Sequence, residues 1–185
     1  MTLHNLDEYY SDYCDETLSC FDVKNFYVHT KDELISVVTN ILVDGNNGRF
    51  RYFVIDKGFW LFRTKVLLPV GLASVDYDNK CISVPGLTKE QFNNLPEFQE
   101  DFIIDNDYEE QVRDVYRPLV TVTDLHPFYR AATYNYMLEP YFYEVSDRNL
   151  KMYEEHLMSR KNIFWRNTII RRQKYACLRA FMETA

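Results

Sequence analysis

The chain is short of the residues that punctuate or staple a fold. It holds 5 Gly, 6 Pro and 4 Cys in 185 residues. So little Gly and Pro excludes collagen-like and low-complexity chains. Cys14, Cys20, Cys81 and Cys177 form no C-x-x-C pair and lack the dense spacing of a secreted disulfide scaffold. The histidines, His4, His29, His126 and His156, have no paired spacing of the kind a metal finger needs. A long apolar run is also missing. The longest uncharged, largely apolar stretch, Val66 to Val75, falls far short of the roughly 20 residues of a membrane helix. Met1 to Glu8 has neither the basic start nor the apolar core of a signal peptide, so a cytoplasmic location is expected. Basic charge is scarce as well, with 21 Lys+Arg against 28 Asp+Glu and a net charge of −7. Phosphate backbones are bound by dense basic surfaces, so DNA is not an expected partner.

Aromatic residues, by contrast, are abundant: 15 Tyr and 13 Phe, with 16% of the chain aromatic. Disordered chains are poor in such residues, so a packed core is expected. Charge is unevenly placed. Residues 1–150 carry 13 Lys+Arg against 25 Asp+Glu, a net of −12, and residues 151–185 carry 8 against 3, a net of +5. Such asymmetry marks either two regions or a tail with its own partner.

Residues 1–20 are acidic and aromatic and read as a strap or a short helix. From Phe21 the pattern turns to β. Val23, Phe26 and Val28 sit at near-alternating positions, and 34–44 is rich in β-branched residues. Asp44-Gly45-Asn46-Asn47-Gly48 is a turn of residues that tolerate positive φ, followed by Phe50, Tyr52 and Val54 alternating with Arg51, Phe53 and Ile55. Strands are expected at about 22–30, 34–44, 49–56, 59–69, 72–77 and 80–84. Turns every 8 to 12 residues point to a small antiparallel barrel closed on itself, with Val54, Leu67 and Val84 inside. Thr88 and Gln91 are spaced as a capping box for a short helix ending before Pro96. A second helix is expected at 107–115. Pro118, Pro127 and Pro140, among five tyrosines between 129 and 143, read as an extended strap. Ser146-Asp147 offers an N-cap for a C-terminal helix over about 148–181. The fold class is therefore mainly β with α. The expected segments are 1–20, a barrel over 21–99, an acidic and Tyr/Pro-rich connection over 100–145, and a basic amphipathic helix over 146–185.

Candidate sites are few. Asp105, Asp107 and Glu109 alternate faintly like a calcium loop, but the loop glycine and terminal glutamate are missing, so an exposed acidic face or helix N-terminus is expected instead. No metal or cofactor is expected. Cys81, in the last strand, reads as a small core residue. Phe59, Trp60 and Phe62 either anchor a partner or divide between the barrel interior and a dimer seam. Beyond Ser159, Phe164, Trp165 and Ile169 stand among arginines. That tail reads as a partner-binding helix in a homo-oligomer, as a peripheral membrane contact through its basic face, or as the product of a shifted reading frame.

Arg49-Phe50-Arg51-Tyr52-Phe53-Val54-Ile55-Asp56, then Gly58-Phe59-Trp60-Leu61-Phe62, Lys65-Val66-Leu67-Leu68-Pro69-Val70 and Leu87-Thr88-Lys89-Glu90-Gln91, resembles the PRC-barrel family in order, spacing and residue type. That family includes the cytoplasmic domain of the photosynthetic reaction-centre H subunit and the second domain of a ribosome-maturation factor. The flanks, Tyr108 to Pro118 and Leu150 to Glu155, are similar to cyanobacterial stress-associated proteins as far as about Leu157. The resemblance implies a small antiparallel barrel with no general catalytic residues. It implies a non-enzymatic binding or scaffold protein, with links to photosynthetic or stress physiology. The alternatives are an RNA-processing or ribosome-assembly adaptor and a small-ligand carrier.

Overall fold

The computed structural model describes residues 2–11, 19–31, 33–57, 64–99, 104–120 and 139–162. The turn at 44–48 forms as its residues dictate. The Asp44 carboxylate accepts from the Asn46 N–H at 2.9 Å and from the Asn47 amide at 3.2 Å, and Gly48 takes φ +77° to return the chain. The turn joins β3 (Leu34–Asp44) to β4 (Phe50–Asp56), and β5 (Lys65–Pro69) pairs antiparallel with the far side of β4. β2 (Tyr27–His29) lies on the other edge of β3. β1 (Leu3–Asn5) extends that same edge against Leu42 to Asp44. After β5 a 3-10 turn at Val70–Leu72 leads to the hairpin of β6 (Ser74–Asp76) and β7 (Cys81–Ser83).

Two expectations about this sheet are corrected. It is not purely antiparallel, because β7 returns beside β2 in the same direction, with Val28 opposite Ile82. Nor is it closed. The order is β5-β4-β3-β2-β7-β6, and the end strands β5 and β6 are not hydrogen-bonded to one another among the described residues. Each end is protected in another way. The Lys65 carbonyl in β5 accepts from Phe98 N–H at 2.7 Å, so the chain beyond the sheet covers that edge. β6 is three residues long and ends on Asp76, both of which discourage pairing with another chain.

The interior holds Val28, Val38, Val54, Leu67 and Ile82, all fully buried, and Val84 joins them. Each such side chain contributes about 1.5–3 kcal/mol relative to exposure. β4 does not alternate between core and solvent. Phe50 to Ile55 are all buried, so both its faces are covered. The second cover comes from outside the sheet. α2 (Lys89–Asn93) opens on the expected capping box: Gln91 N–H donates to Thr88 Oγ1 at 3.2 Å and Thr88 N–H donates to Gln91 Oε1 at 3.0 Å. A Thr88→Ala protein is expected to lose about 1 kcal/mol in denaturant unfolding and Thr88→Ser almost nothing. Equal losses for both would show that the cap is idle. α3 (Asn106–Tyr116) is capped by Asp105, which accepts from Tyr108 N–H at 2.8 Å. A 3-10 turn at Pro140–Phe142 presses on Gly71, and α4, helical over 148–162, is capped by Asp147, which accepts from Leu150 N–H at 2.7 Å. Before β1's partner strand, α1 (Leu6–Tyr9) buries Leu6.

Candidate functional site

Four of the buried charged residues, Arg51, Glu109, Arg113 and Glu139, gather at one place, where β4 meets α3 and the 139–143 segment. α3 buries Glu109, Val112, Arg113 and Tyr116, the i, i+3, i+4, i+7 stripe of a packed helix. Two members of that stripe are charged. Glu109, only 2% exposed, receives Arg51 Nη2 at 3.2 Å and the Tyr52 hydroxyl at 2.8 Å on the same oxygen, Oε1. The Arg51 guanidinium also lies 3.4 Å from the centre of the Tyr143 ring, a cation–π contact inside the fold. The Tyr143 hydroxyl bonds that of Tyr52 at 2.8 Å and accepts from Arg113 Nη1 at 3.2 Å.

From there the network runs outward. Arg113 donates twice to Glu110 Oε2, at 3.1 and 2.7 Å. Arg117 donates to both oxygens of Glu110 and, through Nε and Nη2 at 3.1 and 3.2 Å, to both oxygens of Glu139. Tyr141 adds a bond to Glu139 at 2.8 Å, and Tyr116 donates to the Leu67 carbonyl of β5 at 3.1 Å. Burial pushes the phenols of Tyr52 and Tyr143 upward, which keeps both neutral as donors. Burial also opposes the charge of Glu110, but the bonds from Arg117 and Arg113 outweigh it and lower its carboxyl. Every member of the cluster is tied to another member. Such an arrangement can lock two layers together.

A second junction lies at the 44–48 turn. Tyr10 donates to the Gly48 carbonyl at 2.7 Å, and a Cβ on Gly48 would stand 2.6 Å from that hydroxyl. Glu154 of α4 accepts from Phe50 N–H at 2.6 Å. Lys161, further along α4, sits 2.9 Å from the centre of the Tyr9 ring and donates to the Tyr9 carbonyl at 3.1 Å.

Residues 15–91 match the family model of the PRC-barrel domain. The chain carries a PRC-barrel domain. A 37% identity over 67 residues links it to a Deinococcus radiodurans protein described only as uncharacterized; the match covers 36% of this chain and 24% of that one. The chain thus spans about a quarter of the length of that curated relative. The match with the domain takes in β2 to the first turn of α2 and therefore Arg51 and Tyr52, whereas Glu109, Arg113, Arg117, Glu139 and Tyr143 lie beyond it. The buried network is where the PRC-barrel domain is joined to its flanks.

The residues singled out from sequence fare differently. Phe59, Trp60, Phe62, Phe164, Trp165 and Ile169 lie outside the described residues. Asp105 is an N-cap, as a helix N-terminus was expected there, but Glu109 is not on an exposed acidic face: its stripe turns it inward to Arg51. Among the described residues no group of three His, Cys, Asp or Glu is arranged to hold a metal ion. Cys81 is not a core residue either. Its neighbour Ile82 points inward, and the alternation of β7 leaves Cys81 half-buried on the outer face. The network itself was missed. Its signal was Arg51, the one charged residue within the apolar run 50–55, together with Glu109 and Arg113 on an otherwise apolar helical stripe.

Two of the large apolar side chains that stand out in solvent, Tyr27 at 50% and Leu34 at 51% exposure, lie on the outer face of β2 and β3. Register places Tyr27 between Val37 and Cys81, and Leu34 opposite His29. Among the described residues no helix is long and apolar enough to cross a membrane.

Proposed function

We propose that the protein is a non-enzymatic binding or scaffold module built on its PRC-barrel domain. One observation carries this reading: the charged and phenolic groups that the fold concentrates at the β4–α3 junction are used up on one another. Their geometry supports a rigid platform of domain plus flank. Tyr27 and Leu34, on the outer face of the sheet, are the contact residues this reading assigns, since exposed apolar groups on a rigid sheet suit a protein partner. The test is capture from native lysate with the wild-type chain and with a Tyr27→Ser/Leu34→Ser double variant. A partner retained by the first and lost by the second supports the reading. Partners captured equally by both would remove this face from it. Ribosomal proteins among the captured set would favour the assembly adaptor, and a single co-purified small molecule would favour the carrier.

The residues beyond α4 add a proposal of their own, homo-oligomerisation through Phe164, Trp165 and Ile169. Removal of residues 163–185 is expected to lower the mass seen by light scattering while leaving the circular dichroism of the sheet unchanged. A monomer in both forms would end the idea, and binding of the full chain to anionic vesicles would put a membrane contact in its place.

A further inference from the structure

Glu154 stands apart from the saturated pairing of the β4–α3 network. Its side chain is almost completely enclosed, with the residue 4% exposed, where α4 lies on the β3–β4 hairpin. One oxygen takes the 2.6 Å bond from Phe50 N–H. No Lys or Arg of the described residues comes within ion-pairing distance. The charged and titratable groups that face it are Arg49 on the hairpin, Lys151 and Glu155 on its own helix, and Tyr10 at the C-terminal cap of α1. Arg49 and Lys151 act only from a distance, and Glu155 opposes them. A buried carboxylate with a single N–H and no cation is costly to keep charged.

We propose that Glu154 is an acid-tightened clasp, seating α4 on the hairpin more firmly when its carboxyl holds a proton and less firmly as the pH rises. The oxygen not engaged by Phe50 carries that proton, so the 2.6 Å bond survives in both states. The direction of its titration agrees: burial first, with Glu155 adding, raises the carboxyl above its ordinary range against the pull of the Phe50 N–H, Arg49 and Lys151. A carboxyl that holds its proton more tightly when docked favours docking at low pH. That contribution is present in full below the ordinary carboxylate range and is lost as the pH rises through the raised value. Each unit of difference between docked and undocked states is about a tenfold change in the opening equilibrium. Release would be local, because α4 can open without unfolding the sheet beneath it. The remainder of the junction, Lys161 over Tyr9 and Tyr10 on Gly48, acts as the hinge side of the clasp.

The experiment is amide hydrogen exchange of Phe50 and of α4 in the full chain across about pH 4 to 8, corrected for intrinsic rates, with Glu154→Gln beside it. Wild-type protection should fall as the pH rises, by about tenfold per unit of raised titration midpoint. The glutamine keeps the acceptor and removes the charge, so its protection should stay level at the acid value. Equal pH dependence in both proteins overturns the proposal. His156 is on the same helix, so the Glu154 carboxyl carbon is also followed directly by NMR in the wild type. A midpoint above that of exposed glutamates is expected, and one at or below it overturns the clasp even if the variant fails to fold.

Discussion

Arg51→Met is expected to destabilise the protein by about 3–5 kcal/mol, and adding Glu109→Leu should restore most of that loss. The single change leaves the Glu109 carboxylate enclosed between α3 and β4 with only the Tyr52 hydroxyl donating to it among the described residues. A buried charge stripped of its cation bears the whole cost of its desolvation. The double change removes both charges together. Tyr52 keeps the hydroxyl of Tyr143 at 2.8 Å, and Tyr143 keeps Arg113, so neither phenol is orphaned. Buried ion pairs exchanged for apolar groups of similar volume are often neutral or better. Urea unfolding of the two single variants and the double closes the cycle. A single variant within about 1 kcal/mol of wild type would show that the pair is hydrated, contrary to its burial. A double variant no better than Arg51→Met would place the loss in the Arg51–Tyr143 contact instead.

Gly71→Ala should be nearly as damaging, at about 3 kcal/mol, which lowers the melting temperature by roughly 6–12 °C in a chain of this size. Gly71 needs no special φ; what it lacks is room. A Cβ there would stand 2.2 Å from the Tyr141 carbonyl oxygen and 2.8 Å from the Phe142 carbonyl carbon, both backbone atoms that cannot rotate away. The 139–143 segment must lift, taking with it Glu139 from Arg117 and Tyr143 from Arg51 and Arg113. Gly86→Ala is the control. Its Cβ meets only Leu119 at 3.8 Å, but φ is +82°, so the cost is the conformational 1–2 kcal/mol, roughly, of a left-handed alanine. If exchange at 139–143 is unchanged in Gly71→Ala, the close approach to Gly71 is not what holds the segment down.

Local signals in the chain were legible because their physics is local. The 44–48 turn, the Thr88–Gln91 box and the Asp147 cap each depend on residues within a few positions of one another, and each forms. The β runs at 34–44 and 50–56 were equally plain. The parallel seam of Val28 with Ile82 was not, since nothing near either residue specifies a partner more than 50 positions away. Antiparallel hairpins were assumed throughout because each turn favours one, and the 3-10 turn after β5, which redirects the chain, carries no strong mark of its own. The inward turn of Glu109 was hidden by its setting, an acidic run that looks solvated until its helical stripe is matched to Arg51. Cys81 was misjudged by one position in a strand only three residues long, where a slip of one reverses every side chain.

The seam between β2 and β7 also sets an order of assembly. β3, β4 and β5 are joined by neighbouring pairings and can form a meander as soon as they leave the ribosome, each closing only a short loop. β2 can lie against β3 early, but its other edge stays bare until Cys81 to Ser83 have been made. A nascent chain stalled before residue 81 therefore presents an unpaired strand edge beside the exposed Tyr27. That is the stage at which the protein is most open to sticking to another copy of itself, and the last strand to arrive is the one that ends the danger.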